Sequence, residues 1–86
     1  MRLIWSDVGW EEYLSWQDVD KKTLRRLNKI INDIKRSPCE GIGKPEELRH
    51  DLSGWWSRQI DDKNRIVYRV IDGAVEIDHC RGHYGD

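Results

Sequence analysis

No apolar run in the chain approaches the roughly 18 residues that a membrane-crossing helix needs, which excludes a helical span. The opening, Met1-Arg2-Leu3-Ile4-Trp5-Ser6-Asp7, carries no apolar signal-peptide segment, so a cytoplasmic location is expected. Cysteine is scarce. Cys39 and Cys80 form neither a CxxC pair nor a zinc pattern with His50, His79 and His83, and two free thiols are expected in a reducing compartment. Metal motifs, a glycine-rich phosphate loop and a Ser/His/Asp order are all missing, which lowers the rank of metal enzymes and nucleotide enzymes. No cofactor and no metal are expected. There is no internal repeat and no low-complexity segment.

What remains is an 86-residue chain, enough for one domain over residues 1–86. A domain of this size buries only about 60–65% of the surface its unfolded chain exposes, so its core is small. Five tryptophans (Trp5, Trp10, Trp16, Trp55 and Trp56) supply large apolar surfaces that a disordered chain would not carry. The formal net charge of −1 hides segregation: residues 1–20 sum to −4, residues 21–36 to +6, residues 37–70 to zero and residues 71–86 to −3. A near-neutral protein with one basic helix can present that face to nucleic acid.

Met1–Trp5 reads as a first strand. Ser6 is an N-cap for a helix over about Asp7–Gln17, with Asp7, Glu11 and Glu12 near its positive end; Gly9 weakens it by roughly 1 kcal/mol against Ala. Asp20 caps a second helix over Lys21–Arg36, whose Leu24, Leu27, Ile30, Ile31 and Ile34 fall within an arc of roughly 120° opposite the basic residues. Ser37-Pro38 ends it. Cys39–Glu47 reads as a loop. From Leu48 the period becomes two, with strands predicted at Trp56–Asp61, Arg65–Ile71 and Ala74–Arg81, the last two joined by Asp72-Gly73. A short strand near Arg49–Leu52 is allowed. The order predicts an α+β fold, a mainly antiparallel β-sheet with two N-terminal helices packed on one face.

Cleavage of RNA without a metal needs a base for the 2′-hydroxyl proton, a cation for the charge on the phosphorane and an acid for the leaving 5′-oxygen. His50, His79 and His83 titrate nearest neutrality. His83 is the fourth residue from the end of the sequence, where a solvated tail is the default. His79 shares the alternation of Val75 and Ile77, as a partly buried core histidine would. Lys44-Pro45-Glu46-Glu47-Leu48-Arg49 is a charged loop, either a solvated connection or a carboxylate held ionised near cations. Arg58, Arg65 and Arg69 lie on strands; several on one face would form a phosphate cradle, while a strand arginine more often rests over apolar neighbours with its head in water.

Taken together, Leu3-Ile4-Trp5-Ser6, Gly41-Ile42-Gly43-Lys44-Pro45-Glu46, His50-Asp51-Leu52-Ser53-Gly54-Trp55-Trp56-Ser57-Arg58, Arg65-Ile66-Val67-Tyr68 and His83-Tyr84 resemble the YoeB/Txe toxins of the RelE/ParE superfamily, from the first residue to Tyr84. The resemblance implies a RelE-like fold and the toxin of a type II toxin–antitoxin system, a ribosome-dependent, metal-independent endoribonuclease cutting mRNA in the A site. It further implies a YefM/Phd-type antitoxin, ribosome and mRNA as partners, and a homodimer. By the same resemblance Glu46 is the general base, Arg65 the phosphate cation and His83 the general acid. Tyr84, Arg49, Arg58 and Lys44 contact substrate. Arg49 stands where the family often has lysine, and Gln59 where it often has a second arginine, which alters the cation set. The alternative is a non-catalytic ParE-like toxin that inhibits DNA gyrase; the set of Glu46, Arg65 and His83 argues against it. The basic face of the second helix is open to three roles: RNA docking, attraction of an acidic antitoxin segment, or an ordinary solvated surface.

Overall fold

The computed structural model describes residues 1–82. The chain runs β1 (Arg2–Trp5), α1 (Asp7–Val19), α2 (Lys21–Arg36), β2 (Glu46–Glu47), a short 3₁₀ turn (His50–Leu52), β3 (Trp56–Gln59), β4 (Arg65–Ile71) and β5 (Ala74–His79). The sheet order is β1-β5-β4-β3-β2. Only the β1–β5 pairing is parallel; the others are antiparallel. The fold is therefore the α+β class expected, with both helices against one face of the sheet.

Capping sets the helices. The Ser6 hydroxyl accepts from the Gly9 N–H at 2.9 Å and donates to the carbonyl of Asp78. The Asp20 carboxylate accepts from Lys22 N, Thr23 N and the Thr23 hydroxyl; these bonds hold its pKa below the ordinary carboxylate value, the Thr23 side chain first. Such a cap stabilises by roughly 1 kcal/mol. Gly9 has a reason beyond helix propensity. A Cβ there would meet Ser6 Oγ at 3.1 Å and the carbonyls of Ile77 and Asp78 at 3.2 Å, so its bare backbone lets α1 lie close on β5.

The core joins Trp16 of α1 and Leu27, Ile30, Ile31 and Ile34 of α2 to Ile66, Tyr68, Val75 and Ile77 of the sheet. Each aliphatic side chain so buried contributes about 1.5–3 kcal/mol of transfer free energy. Trp16 Nε1 donates to the Cys80 carbonyl at 3.0 Å, which satisfies the one polar atom that its burial would otherwise strand. Both cysteines are free thiols. Burial pushes the Cys80 thiol up to about 12, so it packs as an inert small hydrophobe.

Several boundaries differ from expectation. The loop before the sheet contains the two-residue strand β2, and the segment allowed as a strand near Arg49–Leu52 is the 3₁₀ turn. β3 and β5 end two residues early, at Gln59 and His79. The most consequential difference is a bulge. Tyr68 pairs with Ile77 but Val67 pairs with His79, leaving Asp78 as the extra residue. A bulge reverses the alternation beyond it. His79 therefore joins Val67 on the face away from the helices, not the face of Val75 and Ile77, and Cys80 returns to the core.

Candidate functional site

Register sorts the candidate residues onto the two faces of the sheet. Directly opposed residues on antiparallel strands point to the same side. Glu46 opposes Ser57, Ser57 opposes Val67, and Val67 opposes His79, a row across four strands on the face away from the helices. Arg65 opposes Gln59, one alternation further along that same face. Neighbouring strands are roughly 4.8 Å apart and same-face residues about 7 Å apart along a strand. Glu46 and Arg65 thus stand two strands and one step apart on that face. Arg69 is on this face too, but it is committed: Nε donates to Glu76 Oε1 at 2.6 Å, and its guanidinium stacks over Trp55 at 4.5 Å.

Arg58 corrects the sequence reading. It was expected to help hold substrate; instead it opposes Ile66 on the helix side and is fully buried. All five of its donors are used within the chain. Nε donates to the Tyr68 hydroxyl (3.1 Å), Nη1 to Asp33 Oδ2 (2.6 Å) and the Ile42 carbonyl (3.1 Å), and Nη2 to the carbonyls of Ser37 (2.5 Å) and Glu40 (3.0 Å). Tyr68 in turn donates to the Pro38 carbonyl at 2.6 Å. Asp33 also accepts from Ile42 N and from Arg36. The Arg58 hydrogen bond, then that of Ile42, holds the Asp33 carboxyl below the ordinary value. This knot fastens residues 37–42 to α2 and to the sheet. Gly41 belongs to it: a Cβ would come within 1.9 Å of Asp33 Oδ2, and its φ of +134° is one that glycine alone adopts readily.

The knot fixes the start of the loop that delivers Glu46. The Gln59 N–H donates to the Gly43 carbonyl at 2.6 Å, and Leu48 N to the Trp55 carbonyl at 2.9 Å. Between these anchors Glu46 and Glu47 form β2, with Lys44, Glu46 and Arg49 all exposed. Lys44 (φ 53°) and His50 (φ 58°) bracket this stretch in left-handed backbone. Non-glycine residues there cost of order 1–3 kcal/mol, and such strain clusters where a side chain must be aimed. The signals for Asp33 and Tyr68 were slight: Asp33 is the only acid in a strongly basic helix.

His83 and Tyr84 lie outside the described residues. The described chain ends beside Arg65, however: Arg65 N donates to the Gly82 carbonyl at 2.9 Å, and Gly82 N donates to Asn64 Oδ1 at 2.8 Å. His79, turned onto the same face by the bulge, is held by Asp78 through Nδ1 at 3.0 Å. Among the described residues no group of three or more His, Cys, Asp or Glu is placed to hold a metal ion, and no helix is long and apolar enough to cross a membrane.

A family model described as a YoeB-like toxin of bacterial type II toxin–antitoxin systems matches residues 5–84. Toxin YoeB of Escherichia coli is 51% identical over 84 residues, covering 98% of this chain and all of that one. A YoeB/ParE toxin structure from Agrobacterium tumefaciens superposes with a TM-score of 0.94 at 40% identity, over 98% of this chain and all of that one. The Staphylococcus aureus YoeB, solved as a dimer and in a heterotetrameric complex with YefM, superposes with a TM-score of 0.89 at 38% identity over 98% of each chain. The protein is a toxin of the kind that bacteria pair with an antitoxin. It belongs to the YoeB-like family of type II systems.

Proposed function

We propose that the chain is a single toxin domain acting as a ribosome-dependent endoribonuclease. The Glu46 carboxylate takes the proton of the 2′-hydroxyl, and the freed oxygen attacks the adjacent phosphorus. The Arg65 guanidinium, whose fork matches phosphate oxygens, stabilises the added charge on the phosphorane. His83 as imidazolium protonates the departing 5′-oxygen. The products are a 2′,3′-cyclic phosphate and a free 5′-hydroxyl. Base, cation and acid all come from the chain, so no metal ion enters these steps. Lys44, Arg49 and Tyr84 contact the substrate backbone and bases around the scissile bond. One observation carries this reading: Glu46 and Arg65 share the face away from the helices, and Gly82, the residue before His83, is hydrogen-bonded to Arg65.

By the same reading the protein acts in the cytoplasm and is neutralised by a YefM-type antitoxin, as the S. aureus complex suggests for its own toxin. It also forms a homodimer. β1 and α1 leave Ile4, Val8, Trp10 and Leu14 exposed, apolar surface that a second copy would cover. The test is translation of a defined message with and without ribosomes. Cleavage within the A-site codon, lost in Glu46→Ala and in His83→Ala, is the expected result. Gyrase-linked DNA breaks with an intact message would overturn the proposal in favour of a ParE-like activity.

A further inference from the structure

α2 carries seven of the fifteen basic residues of the chain. Its one acid, Asp33, is turned inward and bonded to Arg58 and Arg36. The exposed face is left with Lys21, Lys22, Arg25, Arg26, Lys29, Asn32, Lys35 and Arg36, and with no apolar side chain among them. Among the described residues, only Arg36 of these cations has a carboxylate within salt-bridge distance. A protein partner is held chiefly by buried aromatic or aliphatic anchors, and lysine is depleted at such interfaces; this face offers no anchor. Phosphates need only cations at a suitable repeat. Lys21, Arg25 and Lys29 follow one another at i, i+4, about 6 Å apart along the axis, and Arg36 continues the line to a total of about 22 Å. Toward the site the face is bounded by acids: Arg26 and Lys44 line one groove of about 390 Å³ together with Gln59, Ile60, Asp61 and Asp62, and those two carboxylates turn a phosphate strand on α2 away from the loop that carries Glu46.

We propose that the outer face of α2 is a docking surface for the phosphate backbone of double-helical RNA, distinct from the strand that is cut. It takes from the proposed activity only that the protein meets folded RNA. Binding is independent of sequence and falls steeply with salt, because each neutralised phosphate releases counterions.

The probe is an RNA hairpin with a long duplex stem, titrated at several salt concentrations with the wild-type chain, with Lys21→Gln/Arg25→Gln/Lys29→Gln, and with a control, Arg2→Gln/Lys63→Gln. Thermal melting confirms that each variant is folded. In the α2 variant the slope of log affinity against log salt should fall by about 3, one per cation removed, with affinity down roughly tenfold or more at low salt. The control should keep the wild-type slope. An α2 variant that binds the hairpin as wild type does, or that keeps RNA binding and loses only an acidic peptide, overturns the proposal. Ribosome-dependent cleavage is read separately. A wild-type chain that binds duplex RNA through α2 but cuts no message would sink the catalytic reading and leave this one standing.

Discussion

Arg58 and Arg65 stand on neighbouring antiparallel strands, opposite Ile66 and Gln59 respectively, and so face opposite sides of one sheet. Arg58 is fully buried beneath α2 and the 37–42 segment, with every donor bonded within the chain. Arg65 is half-buried on the other side, beside the last described residue. Residue type and secondary structure are the same; only strand parity and the covering layer differ. The comparison teaches that a guanidinium becomes structural when carbonyls and a carboxylate converge on it. Arg65 lies on the side of the sheet that the helices do not cover.

Arg58→Ala should do the greatest damage. It takes from Asp33 its buried partner, leaving it the Arg36 guanidinium and the Ile42 N–H, and frees three carbonyls, a loss of about 3–5 kcal/mol, read as a lower urea midpoint. A change under about 1 kcal/mol would show that the knot is not holding the fold. Arg65→Ala should invert the pattern. Message cleavage should fall by about 10²–10³-fold, the usual cost of removing one fixed transition-state donor, with little movement of the thermal midpoint. Equal losses of stability in the two variants would mean that burial under α2 does not set the two arginines apart.

Tyr68→Phe sharpens the structural half. It removes the acceptor for Arg58 Nε and the donor to Pro38, a cost of about 1–3 kcal/mol by denaturant unfolding. The smallest effect is in acid. The folded-state pKa of Asp33 lies below its ordinary value of 3.8, chiefly through Arg58. Its contribution to stability is therefore present above that value and lost as pH falls through the folded-state pKa. Asp20 and Asp61 are lowered too and act with the same sign. In unfolding curves taken at falling pH, Asp33→Asn should lose less stability than wild type once the pH drops below the ordinary carboxylate value of 3.8. A wild-type acid limb identical to that of the variant would mean that Asp33 is not ionised by its partners.

Local pattern was enough for α2, whose bounds of Lys21–Arg36 coincide with those read from its apolar arc and the Asp20 cap. β4 and the Asp72-Gly73 hairpin were equally legible, because a period of two and a turn pair are local signals. His79 is partly buried as its alternation suggested, but the face it takes was not legible, because a bulge depends on how two strands pair, which alternation along one strand does not reveal. Arg58 was misassigned because its partners lie 10 to 25 residues away in the chain.

By itself the sequence determined the α+β class, the two capped helices and the basic face of α2, since these rest on spacing and residue chemistry; Glu46 and Arg65 became candidates through the family resemblance. Tertiary structure alone decided which arginine is enclosed, that Glu46 and Arg65 share one side of the sheet, and that Gly82 is tied to Arg65. The physical reason is that burial and facing are properties of packed neighbours. Arg58 and Arg65 differ in what lies above them, and the covering layer over Arg58 is assembled from α2, the 37–42 segment and Tyr68.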